Sequence, residues 1–419
     1  MPASARLARG LGRVAAVAAL ALGVCACGST TDSLGYDNTE SATLQKVTGP
    51  ASYPNPFRDL LGQSDANISS KINNAFNTLF HGSTTYSFYT EVGTDQATIT
   101  DTLHGDIRTE GMGLGMMICV QMNKEYEFGK LWTYAKEVMQ VGSGPNAGYF
   151  NSFCNDVNDK PIPCLDPYGF QQFVTALIFA NDRWGSTGAI DYAADALALF
   201  HTVHHKVDDN GGIVDGVTDL FDPQANLPLE VPNVSSAGVT RPPLVMPAYQ
   251  ALWAQADADP TFTKIATAGR AFWQSAANPM TGFMAVRTDL SGTPSMGWAT
   301  FDPEAYRSQI NVAIDQIWSG GNAWNVTESN KLLAYFSAQG INTYGRIFSL
   351  DGTVVDDNTR DPSLIAANGV TAVASTNTDR SSYVSAVWNM DVPTGNARYY
   401  AGLLYIIGLL VLSGQFQIY

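Results

Sequence analysis

Leu403-Leu404-Tyr405-Ile406-Ile407-Gly408-Leu409-Leu410-Val411-Leu412 is the most apolar run of the chain beyond its first residues. It is too short for a bilayer, which takes about 20 helical residues to cross. A buried helix is the reading that remains. Around it Tyr400, Leu403, Leu404, Ile407, Leu410 and Val411 recur at helical spacing. A helix apolar on most sides needs partners on most sides. The rest of the chain supplies them. Ile68, Ile72, Ala75, Phe76, Leu79 and Phe80 repeat the period, as do Tyr306, Ile310, Ala313, Ile314 and Ile317. Twelve helices are expected, near 65–80, 110–122, 125–141, 169–182, 189–206, 246–257, 260–276, 303–318, 327–338, 363–374, 379–388 and 396–413, with almost no strands. Their connections are rich in Gly, Pro, Asn and Asp, and no interior linker divides them. This predicts one all-α domain, six helical hairpins closed into a toroid, with inner helices buried all round and outer ones amphipathic.

Composition narrows the function. Only 15% of residues are charged and 45% are apolar, which excludes a disordered chain or a coiled coil. Acids outnumber bases 38 to 23, giving a net charge of −15 with no basic block. Nucleic acid is therefore a poor partner, and a neutral substrate fits better. Eight Trp, 18 Tyr and 19 Phe would serve a large core or a sugar-stacking cleft equally well.

The first residues read as an address. Arg6, Arg9 and Arg13 precede an apolar stretch, and Val24-Cys25-Ala26-Cys27 follows. A small residue directly before Cys27 resembles a bacterial lipobox, with Cys27 as the lipidated N-terminus of an exported protein. An ordinary secretion signal is the alternative. The expected division is a signal over 1–26, a flexible tether over 27–60 and the helical domain over 61–419. Removing 1–26 takes three Arg and no acid, moving the net charge to −18. Cys119 reads as a buried thiol, and Cys154 and Cys164 could pair in an oxidising compartment.

Most catalytic patterns are missing. His201 and His205 are four apart on one helix, but no HExxH motif accompanies them, and no GxSxG elbow is present. Gly111-Met112-Gly113-Leu114-Gly115 fails the dinucleotide fingerprint, and close helix packing explains it better. Asp208-Asp209-Asn210-Gly211-Gly212 does not match a calcium loop. Glu110 is the informative acid, because it opens a helix whose following residues are core-like. It is either an acid facing water at a helix N-terminus or a desolvated carboxyl at a cleft.

The run from Asp106-Ile107-Arg108-Thr109-Glu110-Gly111-Met112 to Val120-Gln121-Met122 resembles glycoside hydrolase family 8. Collinear segments follow: Gly148-Tyr149-Phe150, Arg183-Trp184-Gly185, Tyr306-Arg307, Trp388-Asn389 and Arg398-Tyr399-Tyr400. The resemblance implies an (α/α)6 barrel and inverting hydrolysis of β-1,4-linked glycans, nearest the branch that releases xylose from the reducing end of xylo-oligosaccharides. It places the general acid on Glu110. The general base falls on Glu304, where the family carries Asp, or on Asp302, two residues earlier. Strict register puts Tyr168 at the position of a further acid, with Asp166 offset by two. A cleft Trp is replaced at Asn151-Ser152, followed by Phe153. Expected sugar contacts are Tyr149, Phe150, Phe153, Tyr168, Trp184, Arg307, Trp388, Arg398, Tyr399 and Tyr400, with Trp298 a further stacking candidate. No metal and no cofactor is implied. The expected partner is a neutral or cationic glycan met by a monomer at the cell envelope, with the membrane reached through the lipid alone. A glycan-binding surface lipoprotein on the same scaffold is the rival reading.

Overall fold

The computed structural model describes residues 43–155, 161–358 and 361–419, and only the backbone of 153–155 and 161–164. The signal, Cys25 and Cys27 lie outside the described residues, as do the side chains of Phe153, Cys154 and Cys164. Thirteen α-helices are present among them: α1 (Pro56–Asp59), α2 (Asp65–His81), α3 (Thr109–Gln121), α4 (Glu125–Tyr134), α5 (Pro167–Trp184), α6 (Tyr192–Asp209), α7 (Pro247–Ala256), α8 (Pro260–Ala276), α9 (Tyr306–Ser319), α10 (Ala323–Gln339), α11 (Pro362–Ala374), α12 (Arg380–Trp388) and α13 (Arg398–Leu412). The twelve from α2 to α13 match the twelve expected, and α4 runs on as a π-helical turn over Ala135–Met139.

The odd-numbered helices from α3 to α13 form an inner ring. Each packs on the next, and α13 returns to α3. Every residue of α3 except Glu110 is buried, and every residue of α13 except Arg398 and Tyr400. The even-numbered helices lie outside with one apolar stripe each: α2 buries Ile68, Ile72, Ala75, Phe76, Leu79 and Phe80. This is an (α/α)6 barrel. The apolar run at 403–412 is the C-terminal two thirds of one inner stave, α13. No helix among the described residues is long and apolar enough to cross a membrane. Glycines let the inner helices close. A Cβ on Gly113 would lie 2.6 Å from Gln172 Cβ on α5, and one on Gly169 would lie 2.3 Å from the Thr109 carbonyl carbon. Cys119 is a buried free thiol.

Two expectations need correction. Strands are present among the described residues. An antiparallel five-stranded sheet joins β1 (Tyr89–Val92), β2 (Gln96–Asp101), β3 (Asp106–Ile107), β4 (Asn151–Asn155) and β5 (Pro161–Leu165). A pair joins β6 (Val239–Thr240) to β7 (Thr288–Asp289), and a triplet joins β8 (Thr300–Phe301), β9 (Ile347–Ser349) and β10 (Val354–Asp356). Most are too short to show a two-residue period, which hides them in sequence. The second correction concerns residues 43–60, placed in the flexible tether. They run across the domain: Leu44, Val47 and Phe57 are buried, Gln45 N donates to Ala256 O at 2.7 Å, and Phe57 packs edge-on against Trp388.

Candidate active site

Strands and turns lead into the N-terminal ends of the inner helices, and these ends gather around one cleft of about 1070 Å³. β3 runs through Arg108 into α3, β5 through Asp166 into α5, and β8 through Glu304 into α9. Helix N-termini favour negative charge, so this end of the barrel tolerates a concentration of carboxylates. Glu110, Asp166, Glu230 and Glu304 all line the cleft.

Glu110 is the second residue of α3, and its side chain is 14% exposed. Its Oε1 accepts from Arg307 Nη1 on α9. The Arg307 guanidinium lies 4.2 Å from the ring centre of Tyr168 and 5.8 Å from that of Tyr400. Burial raises the Glu110 pKa. Arg307 pulls it down, Asp166 and Glu304 push it up, Arg108 pulls it down, and the net direction is upward. A carboxyl whose pKa is raised beside a cleft is a candidate proton donor.

Asp166 caps α5, accepting from Tyr168 N at 2.9 Å, from Gly169 N at 3.4 Å and from Thr109 Oγ1 at 3.0 Å. Thr109 N in turn donates to Ser152 Oγ at 3.0 Å. The N-terminal ends of α3 and α5 are thus tied together beside Glu110. Tyr168 is buried, and burial raises its phenol pKa.

Glu304 and Asp302 separate clearly. Asp302 accepts from Thr300 Oγ1 and from Glu304 N, both at 3.1 Å, so its carboxyl shapes the turn. Burial raises its pKa. Glu304 is 49% exposed and stands in the cleft wall, where its Oε2 accepts from Arg241 Nη1 at 2.5 Å. Tyr400 Oη donates to Pro303 O, bracing the same turn from α13.

The sequence profile of "Glycosyl hydrolases family 8" matches residues 88–414. The chain belongs to this family. It is 32% identical over 368 residues to the reducing-end xylose-releasing exo-oligoxylanase of Paenibacillus barcinonensis, covering 85% of this chain and 94% of that one. It is 31% identical over 388 residues to the enzyme of that name from Halalkalibacterium halodurans, covering 90% and 98%. Endoglucanase 2 of Ruminiclostridium josui is 24% identical over 332 residues, covering 78% and 67%. A solved structure of the P. barcinonensis protein complexed with xylose superposes with a TM-score of 0.80 at 31% identity, covering 88% of this chain and 98% of that one. The protein is a family 8 glycoside hydrolase, of the inverting type.

In this family 8 hydrolase only some of the expected contact residues line the cleft. Tyr168, Arg307, Tyr399 and Tyr400 do. Tyr149 and Phe150 do not: Tyr149 is buried with its hydroxyl donating to Thr218 O at 2.8 Å, and Phe150 packs among Trp132, Phe170 and Phe173. Trp184 ends α5, the helix whose start carries Asp166, and donates to Asn123 Oδ1 at 2.8 Å. Trp388 packs on Phe57 below Lys71. Arg398 donates to the carbonyls of Ser87, Gly395 and Thr84, pinning loops. These large rings lie next to the family-like motifs in sequence, but the hydrophobic core takes them up. His201 stacks on His205 and pairs with Asp209 at 2.9 Å. Sequence reading missed Arg241 and Glu230. No motif marks them, since the partner of Arg241 at the site lies 63 positions away.

Proposed function

We propose that the cleft hydrolyses β-1,4-linked xylo-oligosaccharides with inversion, releasing xylose from the reducing end, with Glu110 as general acid and Glu304 as general base. The observation that carries this is the pair of unlike carboxyls in one cleft. Glu110 is enclosed and its pKa is raised, whereas Glu304 is half exposed. In the reaction Glu110 gives its proton to the glycosidic oxygen as the bond to the anomeric carbon breaks. Glu304 takes a proton from a water whose oxygen bonds to that carbon from the opposite face. Arg307 holds Glu110, and Asp166 and Tyr168 keep the α3 and α5 ends aligned. The substrate class rests on the two exo-oligoxylanases at 32% and 31% identity, which exceed the endoglucanase at 24%. By the resemblance, Glu304 stands where the family carries an acid one methylene shorter, so the position at which its carboxylate is held bears directly on where water is activated. We further propose export with a lipid on Cys27. Replacing Cys27 by Ser should release the protein from the membrane fraction.

Xylo-oligosaccharides and mixed-linkage glucan are the substrates to compare. Proton NMR in early turnover should show the inverted anomer, and a retained anomer rejects the mechanism. Glu110→Gln should lower kcat by about 10³-fold with the fold intact, and unchanged activity rejects the assignment. Binding of both glycans without any product would favour the glycan-binding reading.

A further inference from the structure

Glu304 reaches the cleft on a long side chain from an exposed turn, and three rotatable bonds would ordinarily let its carboxylate wander. One oxygen is held. Arg241 Nη1 donates to Glu304 Oε2 at 2.5 Å, and among the described residues no side chain bonds Oε1. Arg241 is itself fixed. Its Nε donates to Glu230 Oε1 at 2.8 Å, and its guanidinium lies 5.5 Å from the ring centre of Trp298.

The pedestal beneath Arg241 is built from backbone. Arg241 directly follows β6, and Arg287 directly precedes β7, in a pair whose register sets Thr240 opposite Thr288. Two guanidinium groups therefore rise from facing positions, where like charges repel. Glu230 lies between them, 13% exposed, accepting from Arg241 on Oε1 and from Arg287 Nε on Oε2 at 2.7 Å. Its own N donates to Val239 O at 3.0 Å, which locks it to β6. The turn after Arg241 is tied to the barrel by Gln171, which donates to Leu244 O at 2.9 Å, and by Asn311 on α9, which donates to Pro243 O at 3.0 Å. α9 is also the helix that begins just beyond Glu304. Both ends of the clamp are thus anchored on one inner helix.

We propose that Arg241, set by Glu230 and Arg287, is the positioning residue for the base. It occupies one oxygen of Glu304 and leaves the other to the attacking water. The clamp offsets the added methylene of a Glu base by fixing where its carboxylate stands. The inference rests on Glu304 being the base, and the variants separate the two ideas.

Arg241→Gln should lower kcat about tenfold or more with KM within about threefold, since misplacement near the reacting atoms is read in kcat. Arg241→Lys should recover part of that loss. In a Glu304→Gln background, adding Arg241→Gln should lower kcat no further. Should Arg241→Gln not fold, Glu230→Gln is read by the same kcat and KM split. An unchanged kcat, or a loss confined to KM, overturns the clamp while leaving the base assignment standing. A fully active Glu304→Gln overturns the base assignment itself.

Discussion

Two influences of opposite sign act on Glu110. Burial and the neighbouring carboxylates favour the neutral acid, whereas the ion pair with Arg307 favours the carboxylate. The net direction is upward. A general acid works only while protonated, so kcat should fall as pH rises through this raised value. Removing Arg307 removes the downward influence. Arg307→Gln should therefore move the alkaline limb of the kcat profile to higher pH, besides lowering kcat, and a limb that stays in place would deny Arg307 that role. The stability sign agrees. A raised folded-state pKa contributes stability that is full below the unfolded value and is lost as pH rises through the folded one. Glu110 drew notice in sequence because an acid among core residues is anomalous, and the family resemblance then gave it an expected role. Arg241 was not, because an ordinary arginine becomes a clamp only when the β6–β7 pair brings it to Glu304.

At the scale of elements, the start of α5 separates architecture from chemistry. Asp166 accepts three hydrogen bonds as a cap and as the tie to Thr109. Asp166→Ala should cost about 1 kcal/mol in denaturant unfolding, and Asp166→Asn much less, because Asn also caps. If Asn also leaves kcat unchanged, the Asp166 charge has no part in catalysis. At the start of α3, a Cβ on Gly111 would lie 2.4 Å from the Tyr399 ring. Gly111→Ala should cost about 1–3 kcal/mol and impair turnover by displacing Tyr399 into the cleft. Wild-type kcat in that variant would mean the ring has room to move. The helices were readable because each spans several turns of one period. Strands of two or three residues were not, although they aim the chain into the inner helices.

For the whole molecule, the inner ring brings helix starts from across the sequence to one end, and the cleft is the result. Residues 43–60 complete the opposite contacts. Phe57 is fully buried against Trp388, so Phe57→Ala should cost about 3–5 kcal/mol by chemical denaturation. An unchanged midpoint would restore the tether reading for this segment. By itself the sequence determined the helix number and the buried character of alternate staves, since local period and apolarity act within one segment; it marked Glu110 only as an acid out of place, and the family resemblance supplied its expected role. Tertiary structure alone decided the rest. It turned Asp302 into a turn residue and put Glu304 in the wall, drew Trp184 and Trp388 away from the cleft, and set Arg241 beside Glu304. Those outcomes depend on which distant surfaces meet when the ring closes, and no local spacing encodes that.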